Sequence, residues 1–239
     1  MNGKVRHSLR LTAMLYLLDY GAGNIQSLAN SLTKLGYTYE WVREPSDISK
    51  ADKLLFPGVG SFASAMDALH AKGYVEPLRA YIQSGKPLMG ICVGMQVLFE
   101  GSDESPGVQG LGIVPARVGR FATQDALGRK AVPHMGWSLA NVVEWERCAD
   151  QRHELAKSYG MHDANPSHYY FVHSYRVAWD ANVAEWALTT TQYGNEIFVS
   201  SIQHANVFAT QFHPEKSGQA GLDLLAAWLR LEHCLLYTS

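Results

Sequence analysis

Short, continuous runs of apolar residues alternate with segments of helical periodicity over the first hundred positions of the chain. The runs cover residues 14–19, 39–42, 53–56 and 86–91. Between them, helical patterns are predicted at residues 61–71 and 74–84, and after Asn24 at Ile25, Leu28, Ala29, Leu32 and Leu35. Continuous apolar runs are typical of strands that are buried on both faces of a sheet. The alternation therefore predicts an α/β fold, with an open, mostly parallel twisted sheet flanked by helices.

The pattern changes in the second half of the chain, from about residue 107 to 200, where strand-like runs follow one another without regular helices between them. These runs lie at residues 113–118, 169–175, 186–191 and 197–202. Residues 144–168 are polar and contain Pro166, which favours a variable surface excursion. A strand at 207–212 closes the pattern, followed by a helix with an apolar side formed by Leu222, Leu225, Ala226 and Leu229.

These patterns predict one domain over residues 14–231, in which an additional β-rich segment supplements the parallel sheet. The first thirteen residues contain Lys4, Arg6 and Arg10 and no acidic residue. We expect a flexible basic segment there, since so short a stretch is weak evidence of targeting. Residues 232–239 form a tail with no assigned role.

Composition and charge limit the kinds of partner that the chain is expected to have. Of its 239 residues, 47% are hydrophobic and 18% are charged, and the formal net charge is −2. Nucleic-acid binding would need a clustered basic face, and membrane insertion a longer apolar run. The three cysteines contain no CxxC pair, so we expect no disulfide framework, no metal and no cofactor. A cytoplasmic location fits best, with organellar targeting left open.

One cysteine stands where a catalytic nucleophile is expected. Cys92 lies in Gly90-Ile91-Cys92-Val93-Gly94, after the apolar run Pro87-Leu88-Met89 and before a predicted helix at 95–100. This is the layout of a nucleophile elbow, with cysteine in the place of serine. The small neighbours would allow a sharp strand-to-helix turn, and the helix N-terminus would favour the thiolate. A buried structural cysteine is the alternative.

A histidine and a carboxylate follow the last predicted strand. In Phe212-His213-Pro214-Glu215-Lys216, residues two apart project to the same side of an extended chain, and Pro214 disfavours helix at His213. His213 would then act as the base for Cys92, and Glu215 would orient the imidazole at the carboxyl ends of the strands. A solvated turn is the alternative. A zinc site would need a following cysteine pair that the sequence lacks.

Two glycine turns follow strands in the first half of the chain. Gly21-Ala22-Gly23 does not extend to a dinucleotide-binding fingerprint, because position 26 is Gln26 rather than glycine. Pro57-Gly58-Val59-Gly60 is more informative, since its backbone amides would approach a ligand closely. Together with the amide of Val93, they would form an oxyanion hole. A simple turn is the alternative.

Six motifs occur in order along the chain. They are Leu18-Asp19-Tyr20-Gly21-Ala22-Gly23-Asn24, Phe56-Pro57-Gly58-Val59-Gly60, Met89-Gly90-Ile91-Cys92-Val93-Gly94-Met95-Gln96, Val132-Pro133-His134-Met135-Gly136-Trp137, Tyr170-Phe171-Val172-His173-Ser174-Tyr175 and Ala209-Thr210-Gln211-Phe212-His213-Pro214-Glu215-Lys216-Ser217-Gly218. In this order they resemble the triad-type (class I) glutamine amidotransferases, and within them the glutaminase components of imidazole glycerol phosphate synthases. The resemblance covers residues 14–231 and looks closer to the fused fungal and plant versions than to separate bacterial subunits. Val59, where related amidotransferases carry glycine, is one of its more specific marks.

The resemblance implies a flavodoxin-like fold and a two-stage hydrolysis. The Cys92 thiolate would attack the carboxamide of glutamine, while the amides of Val59 and Val93 stabilise the oxyanion. His213, oriented by Glu215, would protonate the departing ammonia. It would then activate water to release glutamate from the thioester.

The resemblance also implies a substrate subsite and a partner. Ammonia would pass to a (β/α)₈-barrel cyclase, either a separate subunit or a fused domain. That cyclase forms imidazole glycerol phosphate and aminoimidazole carboxamide ribotide in histidine biosynthesis. Contacts to the amino-acid end of glutamine map to Gln96, Glu104, Ser174 and Tyr175. Positions that face the cyclase map to Tyr170 and Lys216, for which a core aromatic and a solvated lysine are the alternatives.

The chain departs from the family pattern at Ser138, where asparagine is usual, so the family's amide contact is in doubt there. Two other functions stay open. One is a glutaminase that serves another synthase, which Val59 argues against. The other is a non-catalytic homologue on the same fold. Such homologues typically lack one triad member, whereas Cys92, His213 and Glu215 are all present here.

Overall fold

The structure, a computed structural model, describes residues 13–21, 25–126, 128–143, 149–161 and 167–231. Its strands are β1 (Leu15–Leu18), β2 (Glu40–Val42), β3 (Lys53–Gly58), β4 (Leu88–Cys92), β5 (Phe99–Ser102), β6 (Val114–Arg120), β7 (Gln124–Asp125), β8 (Gly128–Arg129), β9 (His134–Leu139), β10 (Asn141–Val142), β11 (His168–His173), β12 (Tyr175–Arg176), β13 (Ala187–Tyr193), β14 (Glu196–His204) and β15 (Val207–Thr210). Its helices are α1 (Gln26–Lys34), α2 (Pro45–Lys50), α3 (Phe62–Ala71), α4 (Val75–Gln83), α5 (Val93–Gln96), α6 (Ala149–Ser158) and α7 (Gly218–Arg230), with a 3₁₀ turn at Pro214–Lys216. In the described part of the chain, no helix is long and apolar enough to cross a membrane. The predictions for residues 1–12, 22–24 and 232–239, and those parts of the predicted excursion at 144–148 and 162–166, lie outside the described residues.

A central sheet of eight described strands has the order β10-β13-β14-β15-β4-β3-β1-β2. The five strands from β15 to β2 run parallel, while β14, β13 and β10 pair antiparallel at the other edge. β1 and β4 are buried along their whole length, as expected for strands that helices cover on both faces. The predicted α/β class, with its mostly parallel sheet, is confirmed.

The strand order determines where a site can form. In doubly wound sheets, ligands bind beyond the carboxyl ends of the strands. Gly58, the last residue of β3, pairs in register with Cys92, the last residue of β4. On the other side of β4, β15 ends three residues before His213. The predicted turn, nucleophile and base therefore all follow neighbouring parallel strands.

Smaller sheets carry other predicted site residues. β9 and β11 form an antiparallel ribbon that pairs Trp137 with Tyr170, and β12, which begins at Tyr175, pairs with β6. The predicted β-rich segment is thus present. The expectation that it contains no regular helix is wrong, because α6 lies within it and buries Ala156.

Three other element predictions need correction. The helix expected at 95–100 ends at Gln96, and Phe99 already belongs to β5. α2 was missed, because six residues are too few for periodicity to indicate a helix. In α7 the fully buried residues include Leu224 and Trp228, whereas the predicted Leu222 and Ala226 are only partly buried. This helix is apolar on most sides, so its periodicity did not select the buried face.

Lys53 fastens the last helix to the central sheet. Its side chain is buried, and Nζ donates hydrogen bonds to the carbonyl oxygens of Trp228, Leu229 and Leu231 at 3.2, 2.6 and 2.6 Å. Carbonyls in the last turn of a helix have no partner within the helix, and a cation suits the negative end of the helix dipole. The ammonium group of Lys53, the first residue of β3, thus provides hydrogen-bond donors for the unpaired carbonyl oxygens at the end of α7.

We expect Lys53→Met to lower the free energy of unfolding by about 3 kcal/mol, because charged hydrogen bonds contribute about 1.5–3 kcal/mol each and are not additive here. Urea denaturation measures the loss. Lys34→Met, in the exposed last turn of α1, is the matched control and should change the free energy by less than about 1 kcal/mol. Equal losses in the two variants would contradict this account.

Candidate active site

The backbone around Cys92 has the form of a nucleophile elbow. Cys92 ends β4, Val93 begins α5, and Cys92 itself has φ 55° and ψ −109°. A non-glycine residue in such a conformation costs about 1–3 kcal/mol and persists only where the surroundings enforce it. The strain lies at the residue that the sequence singles out as the nucleophile.

Gly90 and Gly94 provide the space that the elbow needs. A Cβ atom on Gly94 would lie 1.9 Å from the carbonyl oxygen of Phe56, and one on Gly90 would lie 2.8 Å from the carbonyl oxygen of Gly94. Both distances are well inside van der Waals contact. We expected small residues because the turn is sharp. Instead, the positive φ belongs to Cys92, and the glycines let the elbow pack closely against its neighbours.

The Pro57-Gly58-Val59-Gly60 turn lies directly beside the elbow. A Cβ atom on Gly58 would lie 2.5 Å from the backbone nitrogen of Gly94, and Gly60 has φ 98°, a conformation that favours glycine. Val59 and Gly60 line the same cleft as Cys92 and Val93. Val93 is the first residue of α5, so its N–H has no partner within the helix. Because α5 is a single turn of four residues, it lacks the helix dipole that the sequence led us to expect behind Cys92.

His213 and Glu215 form a buried pair behind the cysteine. The Nδ1 atom of His213 lies 2.7 Å from Oε1 of Glu215, and both side chains are almost wholly buried. The backbone between them is a 3₁₀ turn rather than the extended chain we expected, yet the two side chains still meet. The backbone N–H of His213 donates to the carbonyl oxygen of Tyr170, and Ser217 Oγ donates to the carbonyl oxygen of His213, so the backbone of His213 is held on both sides.

The charges around His213 favour its protonated form. Burial by itself lowers the pKa of His213, but the charge and hydrogen bond of Cys92, together with those of Glu215, outweigh burial and raise this pKa to about 10. At neutral pH the proton between His213 and Glu215 is therefore on the imidazole of His213. The protonated imidazole is therefore a group that can donate a proton in the cleft, as acyl transfer requires.

A cleft of about 400 Å³ opens above Cys92 and His213. Its wall contains most of the residues that the resemblance assigns to substrate and partner: Val59, Gly60, Val93, Gln96, Glu104, Ser174, Tyr175 and Lys216. A cleft of this size suits a small molecule. Glu215 lies outside this lining, behind His213, where it borders a smaller cavity with Gly58.

Two of the predicted glutamine-binding side chains are held by hydrogen bonds. Glu104 Oε2 accepts from the backbone N–H of Phe62 at 2.7 Å, at the start of α3. The side-chain amide of Gln96 donates to the carbonyl oxygen of Tyr175 at 3.0 Å. These contacts fix the side chains before any ligand binds.

Tyr170 lies outside the cleft, on the β9–β11 ribbon. Its ring packs edge-on against Trp137 with the ring centroids 6.0 Å apart. Trp137 is 54% exposed and the nearby Met135 is 63% exposed, so this ribbon carries apolar side chains in contact with solvent. Tyr170 is half-buried against the exposed Trp137 and does not belong to the buried core.

Two histidines next to the cleft were not assigned a role by sequence reasoning. Burial lowers the pKa of His173 to about 3 and that of His134 to about 4, so both rings are neutral at physiological pH. His173 Nδ1 lies 2.8 Å from the carbonyl oxygen of Tyr175 and donates to it. His134 Nε2 contacts Ser138 Oγ at 3.0 Å, which gives a role to the residue that departs from the family pattern.

Gln211 was also missed. Its side-chain Nε2 lies 3.6 Å from Cys92 Sγ, and its side chain is buried. Gln211 stands two residues before His213 near the end of β15. The spacing argument that paired His213 with Glu215 would have indicated this residue as well.

No group of three or more histidine, cysteine, aspartate or glutamate side chains is arranged to hold a metal ion, as far as the described residues go. The cleft and the space behind it bring together a thiol, an imidazole and a carboxylate. Together with backbone donors, these groups suffice for acyl transfer.

The fold and this cleft are those of an amidotransferase, and the chain belongs to the class-I glutamine amidotransferase family, which matches residues 16–229. Solved structures agree on the fold. The structure of PurLQS from Thermotoga maritima superposes with a TM-score of 0.60 at 16% identity, covering 92% of this chain and 98% of the matched one. The glutaminase domain of Trypanosoma brucei CTPS gives a TM-score of 0.59 at 15% identity, covering 92% and 95%.

Relatives with higher sequence identity to this chain are named as imidazole glycerol phosphate synthases or as a subunit of one. The chain is 46% identical to the imidazole glycerol phosphate synthase hisHF of Emericella nidulans over 90% of this chain and 37% of that one. It is 44% identical to the chloroplastic hisHF of Arabidopsis thaliana, over 94% and 35%. It is 41% identical to the imidazole glycerol phosphate synthase subunit HisH of Methanothermobacter thermautotrophicus, over 91% and 98%. The chain thus spans little more than a third of the length of the fused relatives. These fused relatives are more similar to it than the separate subunit is, which confirms the resemblance predicted from the sequence.

We expect Gly94→Ala to disrupt the elbow, because the added methyl group would overlap the Phe56 carbonyl and neither backbone can move freely. The melting temperature should fall, and alkylation of Cys92 by iodoacetamide should slow. Gly107→Ala is the matched control, since a Cβ atom there meets nothing within 4 Å. Normal reactivity and stability in Gly94→Ala would show that the elbow does not depend on this contact.

We expect His134→Phe to make the protein less sensitive to acid. The buried ring stays neutral in the folded state, whereas an unfolded histidine binds a proton below about pH 6.5. The unfolded state therefore binds more protons between pH 6.5 and about 4, and wild-type stability falls as the pH falls through that window.

Between these pH values, the free energy of unfolding of the variant should depend less steeply on pH, by the contribution of one proton, roughly 1.4 kcal/mol per pH unit. Urea denaturation at several pH values measures this slope. Phe171→Leu is the control, because the Phe171 ring stacks on His134. This variant should lower the free energy of unfolding but keep the wild-type dependence of that free energy on pH. An unchanged slope in His134→Phe would refute a neutral buried His134.

Proposed function

We propose that this chain hydrolyses glutamine to glutamate and ammonia through a thioester on Cys92. The observation that carries the proposal is the buried 2.7 Å contact between His213 and Glu215 beside a strained cysteine in one cleft. Membership of the class-I glutamine amidotransferase family supports it.

The first half-reaction begins with the thiolate. Cys92 attacks the side-chain carboxamide carbon of glutamine, forming a C–S bond while the carbonyl π electrons move to oxygen. The amides of Val59 and Val93, in turns shaped by Gly58 and Gly60, stabilise this oxyanion. A single such donor contributes roughly 3–4 kcal/mol in comparable sites. The tetrahedral intermediate then collapses, the C–N bond breaks, and His213 gives its proton to the departing ammonia.

The second half-reaction consumes water. Neutral His213 takes a proton from a water molecule as that water attacks the γ-glutamyl thioester. The C–S bond breaks, glutamate leaves, and the thiolate–imidazolium pair is restored. Glu215 keeps Nδ1 of the imidazole bonded throughout, so that Nε2 is the nitrogen that exchanges protons with the cleft.

Four residues are proposed to bind the amino-acid end of glutamine. Both hydrogens of the Gln96 amide are taken by Tyr175 and Gln211, so its carbonyl oxygen is the group available to a ligand. This oxygen and the Glu104 carboxylate suit the ammonium group of glutamine. Ser174 and Tyr175 supply hydroxyl and backbone donors for the carboxylate.

The ammonia is proposed to pass to a (β/α)₈-barrel cyclase, fused or separate, that forms imidazole glycerol phosphate and aminoimidazole carboxamide ribotide in histidine biosynthesis. Support comes from the relatives' names, which include both fused synthases and a separate subunit. Tyr170 and Lys216 are the proposed interface residues. The exposed Trp137 beside Tyr170, and the place of Lys216 on the cleft wall, support this assignment.

For the location of the protein, we propose the cytoplasm. The Arabidopsis thaliana relative is described as chloroplastic, so an organelle is the alternative. Fractionation of cells that express the tagged full-length protein decides between the two.

The test removes the nucleophile. With the cyclase portion of the Emericella nidulans relative supplied, Cys92→Ala should reduce glutamine-dependent synthesis by a factor on the order of 10³ or more. Synthesis from added ammonia should not change, because the cyclase does not need Cys92. Release of glutamate and of imidazole glycerol phosphate measures the two activities.

A diazo ketone analogue of glutamine should label Cys92 in the wild type and leave the variant unlabelled. Glutamine-dependent synthesis that survives in Cys92→Ala would contradict the mechanism. Glutaminase activity that appears only with an unrelated synthase would assign the chain to another pathway. No glutaminase activity with saturating cyclase and its ligand would favour a non-catalytic homologue.

A further inference from the structure

A chain of side-chain amides connects the predicted glutamine subsite to the nucleophile. The Nε2 atom of Gln96 donates to Oε1 of Gln211 at 2.9 Å, and Nε2 of Gln211 donates to Sγ of Cys92 at 3.6 Å. Gln96 also donates to the carbonyl oxygen of Tyr175. Gln96 and Gln211 are 4% and 1% exposed, so water does not compete for these bonds.

The direction of this chain follows from its partners. The Tyr175 carbonyl accepts only, so the Gln96 amide must present its NH₂ group on that side. Gln211 then offers its carbonyl oxygen to Gln96 and its NH₂ group to the sulfur. The reverse orientation of Gln211 would place two NH₂ groups together and direct a carbonyl oxygen at a thiolate. Along the path from Gln96 through Gln211 to Cys92, each amide therefore donates in the direction of the sulfur.

The backbone holds Gln211 in this position. Its backbone N–H donates to the carbonyl oxygen of Ser200 at 2.9 Å, and Thr210 Oγ1 donates to the carbonyl oxygen of Phe212 at 2.9 Å. Two residues further on, the backbone N–H of His213 donates to Tyr170. Gln211 and His213 thus approach Cys92 from one rigid segment.

We propose that Gln211 is a further catalytic residue, which donates a hydrogen bond to the Cys92 thiolate and couples it to the Gln96 subsite. The inference rests on the proposed glutaminase function. A hydrogen bond to an ionised group is stronger than one between neutral groups, and a neutral amide adds this stabilisation without competing with Glu215 for the imidazolium. When the ammonium of glutamine binds the Gln96 oxygen, it polarises both amides toward the sulfur, since hydrogen bonds in series strengthen one another.

A purely structural role of Gln211 would give a different experimental result. A buried amide that only fills space would change stability when replaced, without changing how readily Cys92 ionises. The titratable groups around Cys92 are unaltered by replacing Gln211, so a change in ionisation would report the lost contact. Those groups are His213, Glu215, Tyr20, His173, Glu104 and Lys216.

The experiment measures the pH dependence of Cys92 alkylation in the full chain. Gln211→Met keeps the length of the side chain and removes its donor. Iodoacetamide modification, followed at the Cys92 peptide by mass spectrometry from pH 5 to 9, should show a midpoint displaced to higher pH. Below the wild-type midpoint, the rate at a given pH should fall about tenfold, as expected for one lost charged hydrogen bond.

Gln203→Met is the matched control. Gln203 also has both amide groups bonded, to Tyr159 and Ala205, but does not contact the cleft. It should lower stability and leave the alkylation profile unchanged. Gln211→Glu is a second variant in case Gln211→Met does not fold: its carboxylate beside the sulfur should displace the midpoint further in the same direction.

Turnover with the cyclase portion present gives an independent readout. Gln211→Met should lower kcat for glutamine more than it raises KM, and leave ammonia-dependent synthesis unchanged. A wild-type alkylation profile and wild-type kcat in the folded Gln211 variants would overturn the proposal. If the wild type itself releases no glutamate while the displaced profile is still found, the glutaminase function fails and the Gln211–thiolate contact stands.

Discussion

The structure depends on one close contact, that between β3 and the elbow that follows β4. At Gly94 the elbow backbone lies so near the Phe56 carbonyl that a single added carbon would overlap it. This packing holds Cys92 at a positive φ, which isolated chains do not favour. It also brings Gly58 and the following turn beside the sulfur. Tertiary packing against a buried parallel strand thus provides both the strained backbone of the proposed nucleophile and the glycine turn next to it.

A second constraint is electrostatic. A thiolate and an imidazolium in a buried site are stable only if each has a partner, since burial of an unpaired charge is costly. The carboxylate of Glu215 is hydrogen-bonded to the imidazole of His213, and the side-chain amide of Gln211 contacts the sulfur of Cys92. The nearby His173 stays neutral and donates a hydrogen bond to the Tyr175 carbonyl, so this ring contributes to the polar surroundings without adding charge.

The sequence predicted features that depend on short-range patterns. Buried parallel strands are continuous apolar runs, so β1, β3 and β4 could be located, and glycines around Cys92 indicated the elbow. The one-turn length of α5 could not be foreseen, because Phe99 is apolar and suits helix and strand alike. Gln211, two residues before His213, was open to the same spacing argument as Glu215, but its contact with Cys92, 119 positions away, is seen only in the folded sheet.

The central claim is that Cys92 forms a covalent intermediate with glutamine. The most direct measurement is rapid acid quenching of the wild-type chain during turnover with glutamine and the cyclase, followed by mass spectrometry of its peptides. The account predicts a γ-glutamyl adduct on the Cys92 peptide alone, which disappears when glutamine is exhausted. Steady glutamate release with no adduct, or with the adduct on another residue, would contradict it.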